Sequence, residues 1–434
     1  MLGGVLLGVM SGYPLAIVVG SVGLFVGILV LGDKTFPLMY SRIYELTLSY
    51  PLLAVPLFTF MGVMLERSGI ADGLYDALYL WFGGLRGGLA ISTVLFGTIL
   101  AACLGVIAAS VTMLSIIALS PMVKRGYNRA MATGAVCAGG TLGILIPPSV
   151  MLVVYGPMAD ISVGQLFMAA VVPGILLSAL YSTYIGIRCL IQPNAGPAVP
   201  ASERAIPLPT KLKKLTVSLA PTGILIVAVL GSIFFGIAPP TEAAAVGAFA
   251  SILLAIGYRK FSFDALKKAA LETFRVSAFA MLIGALSYAF VGVFVSGGAG
   301  KVVVEFIMSA PGGRWGVFMT IMFIMFVLGM FIDWIGIVFI MVPILTPVAA
   351  ALQFDPLWFG MMICINLQMA FLSPPFAGAI FVCRGTAPPD LGIQISDIMR
   401  GVLPYVGMVV VCLILCAAFP QLILWLPGKM IVGW

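Results

Sequence analysis

Two prolines stand side by side twice in this chain, each pair inside a long apolar run. The first lies in Gly140-Thr141-Leu142-Gly143-Ile144-Leu145-Ile146-Pro147-Pro148-Ser149, the second in Asn366-Leu367-Gln368-Met369-Ala370-Phe371-Leu372-Ser373-Pro374-Pro375. Proline gives a helix no N–H and its ring clashes with the preceding turn, so each pair must break the helix that contains it. The surroundings make the breaks informative. Of the 434 residues 62% are hydrophobic and only 9% charged, against about 25% charged in a soluble domain, so the chain reads as an all-α polytopic membrane protein. In a bilayer the backbone groups freed by a broken helix need partners, and such breaks persist where protein or a water-filled cavity surrounds them. Matching breaks in two halves of a chain point to the binding site of a secondary transporter.

Composition removes other classes. The chain has no histidine, which takes away the commonest general base and metal ligand. With no metal-ligand cluster and no paired carboxylates at depth, a membrane-embedded enzyme has little to work with. The net charge of +7 comes from Lys and Arg between apolar spans, which speaks for membrane sidedness and against nucleic acid. Cys103, Cys137, Cys189, Cys364, Cys383, Cys412 and Cys416 lie in or beside apolar segments without a CxxC pair and read as small core residues. Met1 to Met10, ahead of Ser11-Gly12-Tyr13-Pro14, lack the basic start of a signal peptide. They cover about half of the roughly 20 residues a span needs and read as an abbreviated first helix.

The two halves repeat. Gly83-Gly84-Leu85-Arg86-Gly87 is echoed by Gly312-Gly313-Arg314-Trp315-Gly316, Pro121 by Pro347, Pro147-Pro148 by Pro374-Pro375 and Pro173 by Pro404, all at a nearly constant offset. The halves are expected at 1–191 and 216–434, joined by a polar linker at 192–215 that carries Arg204, Lys211, Lys213 and Lys214. Cytoplasmic loops are enriched in Lys and Arg, which places the linker inside. Arg259, Lys260, Lys267, Lys268 and Arg275 are also expected inside, and residues 262–275 read as an amphipathic interfacial helix that precedes a span at 276–296. The loop after Pro121 carries Lys124, Arg125 and Arg129, whereas its counterpart, Ala349 to Pro356, has no Lys or Arg. Opposite sidedness of matching loops makes the repeat inverted. Residues 87–122 and 315–350 each hold a small or polar interruption near the middle and read as re-entrant hairpins. The broken helices, 129–157 and 357–384, are expected to cross, giving five crossings per half with both termini outside. Charge alone also allows each hairpin to be two full crossings.

These motifs resemble a known family. Lys124-Arg125-Gly126-Tyr127, the two proline motifs, Val55-Pro56-Leu57-Phe58, Met61-Gly62-Val63-Met64-Leu65-Glu66-Arg67-Ser68-Gly69, Pro240-Thr241-Glu242-Ala243, Val342-Pro343-Ile344 and Ser373-Pro374-Pro375-Phe376 together resemble the large membrane (DctM-type, or M) subunit of the tripartite ATP-independent periplasmic (TRAP) transporters. The resemblance implies an inverted-repeat, elevator-type carrier in the bacterial inner membrane, driven by a sodium gradient. It also implies a small membrane (Q) subunit and a soluble periplasmic substrate-binding (P) protein as partners, and a small organic anion, a carboxylate or sulfonate, as substrate. The competing reading is a standalone sodium/dicarboxylate symporter of similar hairpin architecture.

The breaks suggest which residues serve. A helix that resumes after a break aims free N–H groups and its positive end at membrane depth, which suits an anion. The helix that ends before it frees carbonyl oxygens, which suit Na+ as the coupling ion. On this basis Ser110, Thr141, Ser149, Asn366 and Ser373 are candidates for the substrate. Gly105, Ser110, Thr112, Gly143, Pro147, Asp333, Ser373 and Pro374 are candidates for Na+. The resemblance implies one sodium site between the first hairpin tip and the first broken helix, and an acid at the second tip for another. Asp333 stands alone inside Phe326-Val327-Leu328-Gly329-Met330-Phe331-Ile332 and Trp334-Ile335, and an ionisable residue at depth is functional by default. The plainer readings are a carboxylate satisfied at a helix turn, hydroxyls that bond the preceding turn, and glycines at Gly140 and Gly143 that let helices approach. Glu242 reads as a first-turn charge and Arg384 as an interface anchor.

Overall fold

The computed structural model describes residues 1–69, 72–104, 107–200, 206–375 and 377–431. Every regular element among them is a helix, as lipid demands of a chain that must satisfy its own backbone. The first half runs α1 (Leu2–Met10), α2 (Leu15–Leu31), α3 (Thr35–Thr47), α4 (Ala54–Arg67), α5 (Asp72–Phe82), α6 (Gly88–Leu104), α7 (Ile107–Lys124), α8 (Arg129–Thr141), α9 (Val150–Ala159) and α10 (Val163–Ile191). The second runs α11 (Leu208–Phe234), α12 (Pro240–Gly257), α13 (Phe263–Ser296), α14 (Ala299–Met308), α15 (Gly313–Gly329), α16 (Trp334–Ala351), α17 (Pro356–Leu372), α18 (Gly378–Thr386), α19 (Ile395–Ala418) and the single turn α20 (Gln421–Leu424). Eight helical stretches among the described residues are long and apolar enough to cross a bilayer. The protein is a multi-pass helical membrane protein.

The centre is built from the broken helices. In α8 every residue from Met131 to Thr141 is buried, and in α17 every residue from Trp358 to Leu372. A helix that is apolar all round belongs inside a protein. Around α8 fold α6 and α7, a helical pair that runs antiparallel: Leu89 N donates to Tyr127 Oη at 3.2 Å and Thr93 Oγ1 lies 3.9 Å from Met122 Sδ. The second pair, α15 and α16, is closed at its base by rings of Trp315, Phe318, Phe354 and Trp358, with Arg314 over Phe354 at 4.2 Å. Packing then crosses between the halves. The return helix of each pair rests on the resumed segment of the other half's broken helix, α7 on α18 and α16 on α9. Outside this body stand α2, α3, α4 and α12, packed through α13 and α4. Their outward faces, with Phe25, Leu29, Val246 and Phe249, are exposed apolar surface, which a bilayer covers.

Two expected boundaries move. The interfacial helix 262–275 and the span 276–296 are one continuous helix of 34 residues, capped by Ser262, whose side chain accepts from Ala265 N. No Gly or Pro stands between Phe263 and Ile283 to interrupt it. At 1.5 Å per residue the helix is about 51 Å long, well beyond the ~30 Å hydrocarbon core. The linker also ends early: α11 begins at Leu208 on a proline start, so Lys211, Lys213 and Lys214 sit on its first turns. Residue 105, a candidate for Na+, lies outside the described residues.

Candidate functional site

Each proline pair opens a gap between two successive helices. In the first, α8 ends at Thr141, a tight turn spans Leu142–Ile144, and α9 starts at Val150 with Ser149 as its cap residue. The Ser149 hydroxyl donates to the Ile144 carbonyl and ties the two sides of the gap together. In the second, α17 ends at Leu372, Ser373 is extended, and α18 starts at Gly378 after Ala377, which holds a positive φ of 24°. Both Pro–Pro bonds are cis.

Residues flanking the two gaps, the start of α7 and the turn between α15 and α16 meet at a cavity of about 430 Å³. Ile107, Val150, Trp334 and Gly378, which line it, are the first residues of α7, α9, α16 and α18. Four helix N-termini therefore face one space. A helix N-terminus carries a partial positive charge of about half a unit, and at α16 that end is capped by Asp333. Ile144 and Phe371, from the ends of the segments before the gaps, complete that side. The opposite wall is α13, through Arg275, Val276, Phe279 and Ala280. Among the described lining residues only Arg275 and Asp333 carry charge.

Asp333 is the cap residue of α16, where its carboxylate accepts from Ile335 N at 3.2 Å. It is both a satisfied cap and a wall of the cavity. None of the other described candidates lines the cavity. Ser110 is buried in the first turns of α7 and Thr112 is half-buried there. The Thr141 hydroxyl donates to Ala138 O at 3.0 Å, back along its own helix. Gly143 lies buried in the turn and Pro147 in the cis pair. Ser373 is buried at the end of α17 and Pro374 half-buried beyond it. Asn366 points elsewhere: its Nδ2 donates to Met322 O on α15 at 2.7 Å. The chosen elements thus converge, while their apolar neighbours form the walls. Arg275 was weighed in the sequence only as one basic residue among several on its helix. The available signal was its place as the last charge before the apolar stretch of α13. Arg384 lies in the last turn of α18 and Glu242 in the first turn of α12, both exposed and away from the cavity.

A helical membrane body wrapped around a central cavity at two broken helices defines a membrane transporter. Residues 2–422 match the family described as "Tripartite ATP-independent periplasmic transporter, DctM component". The chain is 33% identical over 388 residues to the C4-dicarboxylate TRAP transporter large permease protein DctM of Pseudomonas aeruginosa, covering 89% of this chain and 88% of that one. It is 27% identical to the ectoine TRAP transporter large permease protein TeaC of Halomonas elongata, covering 86% of each. In structure it is similar to the YdaH transporter of Alcanivorax borkumensis, with a TM-score of 0.62 over 94% of this chain and 98% of that one at 13% identity; that likeness is one of fold. The chain belongs to the DctM component family of the TRAP transporters and is a large permease subunit of the bacterial inner membrane. Membership in a tripartite system disfavours the standalone symporter.

Proposed function

We propose that this subunit carries a small organic anion inward, coupled to sodium, by an elevator movement of the paired and broken helices against the wall formed by α13 and its neighbours. The observation that carries this reading is the convergence of four helix N-termini on one cavity that also holds the Asp333 carboxylate. The N-termini favour an anion. Asp333 alone would repel it, since like charges in a poorly screened space cost energy. A sodium ion at Asp333, completed by carbonyl and hydroxyl oxygens from the gaps, turns that repulsion into attraction. Anion and cation then bind best together, and that is the thermodynamic basis of symport. The cross-packing of α7 on α18 and α16 on α9 supports movement as one body.

The C4-dicarboxylate and ectoine permeases named above share this family, so the family does not fix the substrate. The small membrane subunit and the periplasmic binding protein implied by the tripartite description complete the system. The test is uptake into proteoliposomes holding the complete system, read against sodium concentration. Wild-type uptake should follow the sodium gradient, and Asp333→Asn should need several-fold more sodium for half-maximal rate. Uptake indifferent to sodium, or a D333N curve that overlays the wild type, overturns the coupling.

A further inference from the structure

A pocket of about 500 Å³ lies away from the central cavity, between the end of α10 and the start of α19. Two arginines line it, Arg188 from the last turn of α10 and Arg400 from early in α19. They come from different helices, and no Asp or Glu among the described residues lines the pocket with them. Two like charges facing one pocket repel each other, and an anion between them reverses the sign of the interaction. Arg188 is held in place from below. Its Nη1 donates to Tyr184 Oη at 2.6 Å, and the Tyr184 ring meets the edge of fully buried Tyr405 at 5.3 Å between centroids. Asp397, the acid closest to Arg400 in sequence, is engaged as part of the α19 cap, where it accepts from Gln394 N at 3.0 Å.

The position of the pocket selects the anion. Both α10 and α19 are long and apolar enough to cross a bilayer, and the arginines stand at their ends, at the level of lipid headgroups. Gly392, just ahead of α19, lies beside Arg129: a Cβ there would be 3.5 Å from Arg129 Nη2. The pocket is thus on the Lys- and Arg-rich face, the side that charge assigns to the cytoplasm. Next to the arginines the outward side chains are apolar. Ile187 and Ile191 on α10 and Leu403 on α19 are each more than half exposed. A soluble anion gains nothing from such a surface, whereas acyl chains cover it. Guanidinium groups match phosphate oxygens with paired hydrogen bonds, and basic pockets between spans on the cytoplasmic side suit anionic headgroups. We infer that this groove binds an anionic phospholipid of the inner leaflet, its phosphate held between Arg188 and Arg400 and its acyl chains along Ile187, Ile191 and Leu403. A zwitterionic lipid fits less well, because its own cationic group meets two guanidiniums. The site is independent of what the central cavity carries.

The test is native mass spectrometry of the membrane subunits purified together in a neutral detergent, which resolves single bound lipids. The probes are phosphatidylglycerol, phosphatidylcholine with the same acyl chains, and glycerol 3-phosphate. The first phosphatidylglycerol should bind about ten-fold more tightly than the first phosphatidylcholine, and glycerol 3-phosphate more weakly than either. Arg400 makes no ion pair among the described residues, so Arg400→Gln should leave the melting midpoint unchanged. It should weaken phosphatidylglycerol binding about five-fold, and Arg400→Lys should recover only part of the loss, since it lacks the planar fork. The double variant R188Q/R400Q should bind the two lipids alike; if it does not fold, R400Q alone decides. Lys213→Gln with Lys214→Gln removes two exposed charges from the same face and should change the affinity by less than about two-fold. Equal affinity for the two lipids in the wild type, unchanged phosphatidylglycerol affinity in R400Q, an equal loss in K213Q/K214Q, or glycerol 3-phosphate bound as tightly as phosphatidylglycerol would each overturn the inference.

Discussion

At position 140 a side chain has nowhere to go. A Cβ on Gly140 would lie 2.4 Å from Val111 Cγ2 and 3.0 Å from Val111 Cα, so the glycine lets α8 touch the return helix of the first pair. Gly140→Val forces the two apart, and overpacking of this kind costs about 1–3 kcal/mol. The variant should melt at lower temperature in detergent, with the loss reversed in part by Val111→Ala; an unchanged midpoint would remove the contact from the account. Single residues were unequally legible. Asp333 stood out because a charge inside an apolar run has few reasons to be there. The hydroxyls did not separate, because Thr141 bonding back to Ala138 and a ligand-facing threonine look alike in sequence. Arg275 was hidden by its company: on an amphipathic basic stretch, nothing local shows which charge lines the cavity.

At the scale of elements the prolines and the second polar interruption were readable because they act on the local backbone. Pro147-Pro148 and Pro374-Pro375 stop α8 and α17 whatever surrounds them. The turn at 330–333 similarly separates α15 from α16. The boundary within α13 was not readable, since it depended on a guessed change from interface to span rather than on any helix breaker. Sidedness rests on charge: Lys124, Arg125 and Arg129 follow the first pair of helices, while 349–356 after the second has no Lys or Arg. Asn128 and Gln353 are exposed at these two connections. In a background free of the seven native cysteines, Asn128→Cys and Gln353→Cys should react with a membrane-impermeant maleimide from opposite sides. Asn128 caps α8 by accepting from Met131 N at 3.2 Å, so its replacement costs about 1 kcal/mol and leaves the fold intact. Labelling of both from one side would end the inverted arrangement.

For the molecule as a whole, the described connections leave no room for a capture domain. Between α9 and α10 only 160–162 intervene, between α13 and α14 only 297–298, and between α16 and α17 only 352–355. The long faces of α2, α11 and α12 expose large apolar side chains, Phe25, Ile224, Val227 and Phe249 among them. Such faces can pack permanently against a partner's helices in lipid through shape and small residues. A protein that delivers substrate and leaves to reload needs a smaller, wetter interface. These two kinds of contact predict an ordered dependence in reconstitution. The large subunit alone in proteoliposomes with an inward sodium gradient should show no measurable uptake. Adding the small membrane subunit should make the protein more stable without starting transport, because nothing yet presents substrate to the outer face. Adding the binding protein loaded with substrate should start it, and excess unloaded binding protein should compete by occupying the same docking face. Uptake at the full rate by the large subunit alone would show that the cavity captures its anion directly, and the dependence on partners would then be wrong for this chain.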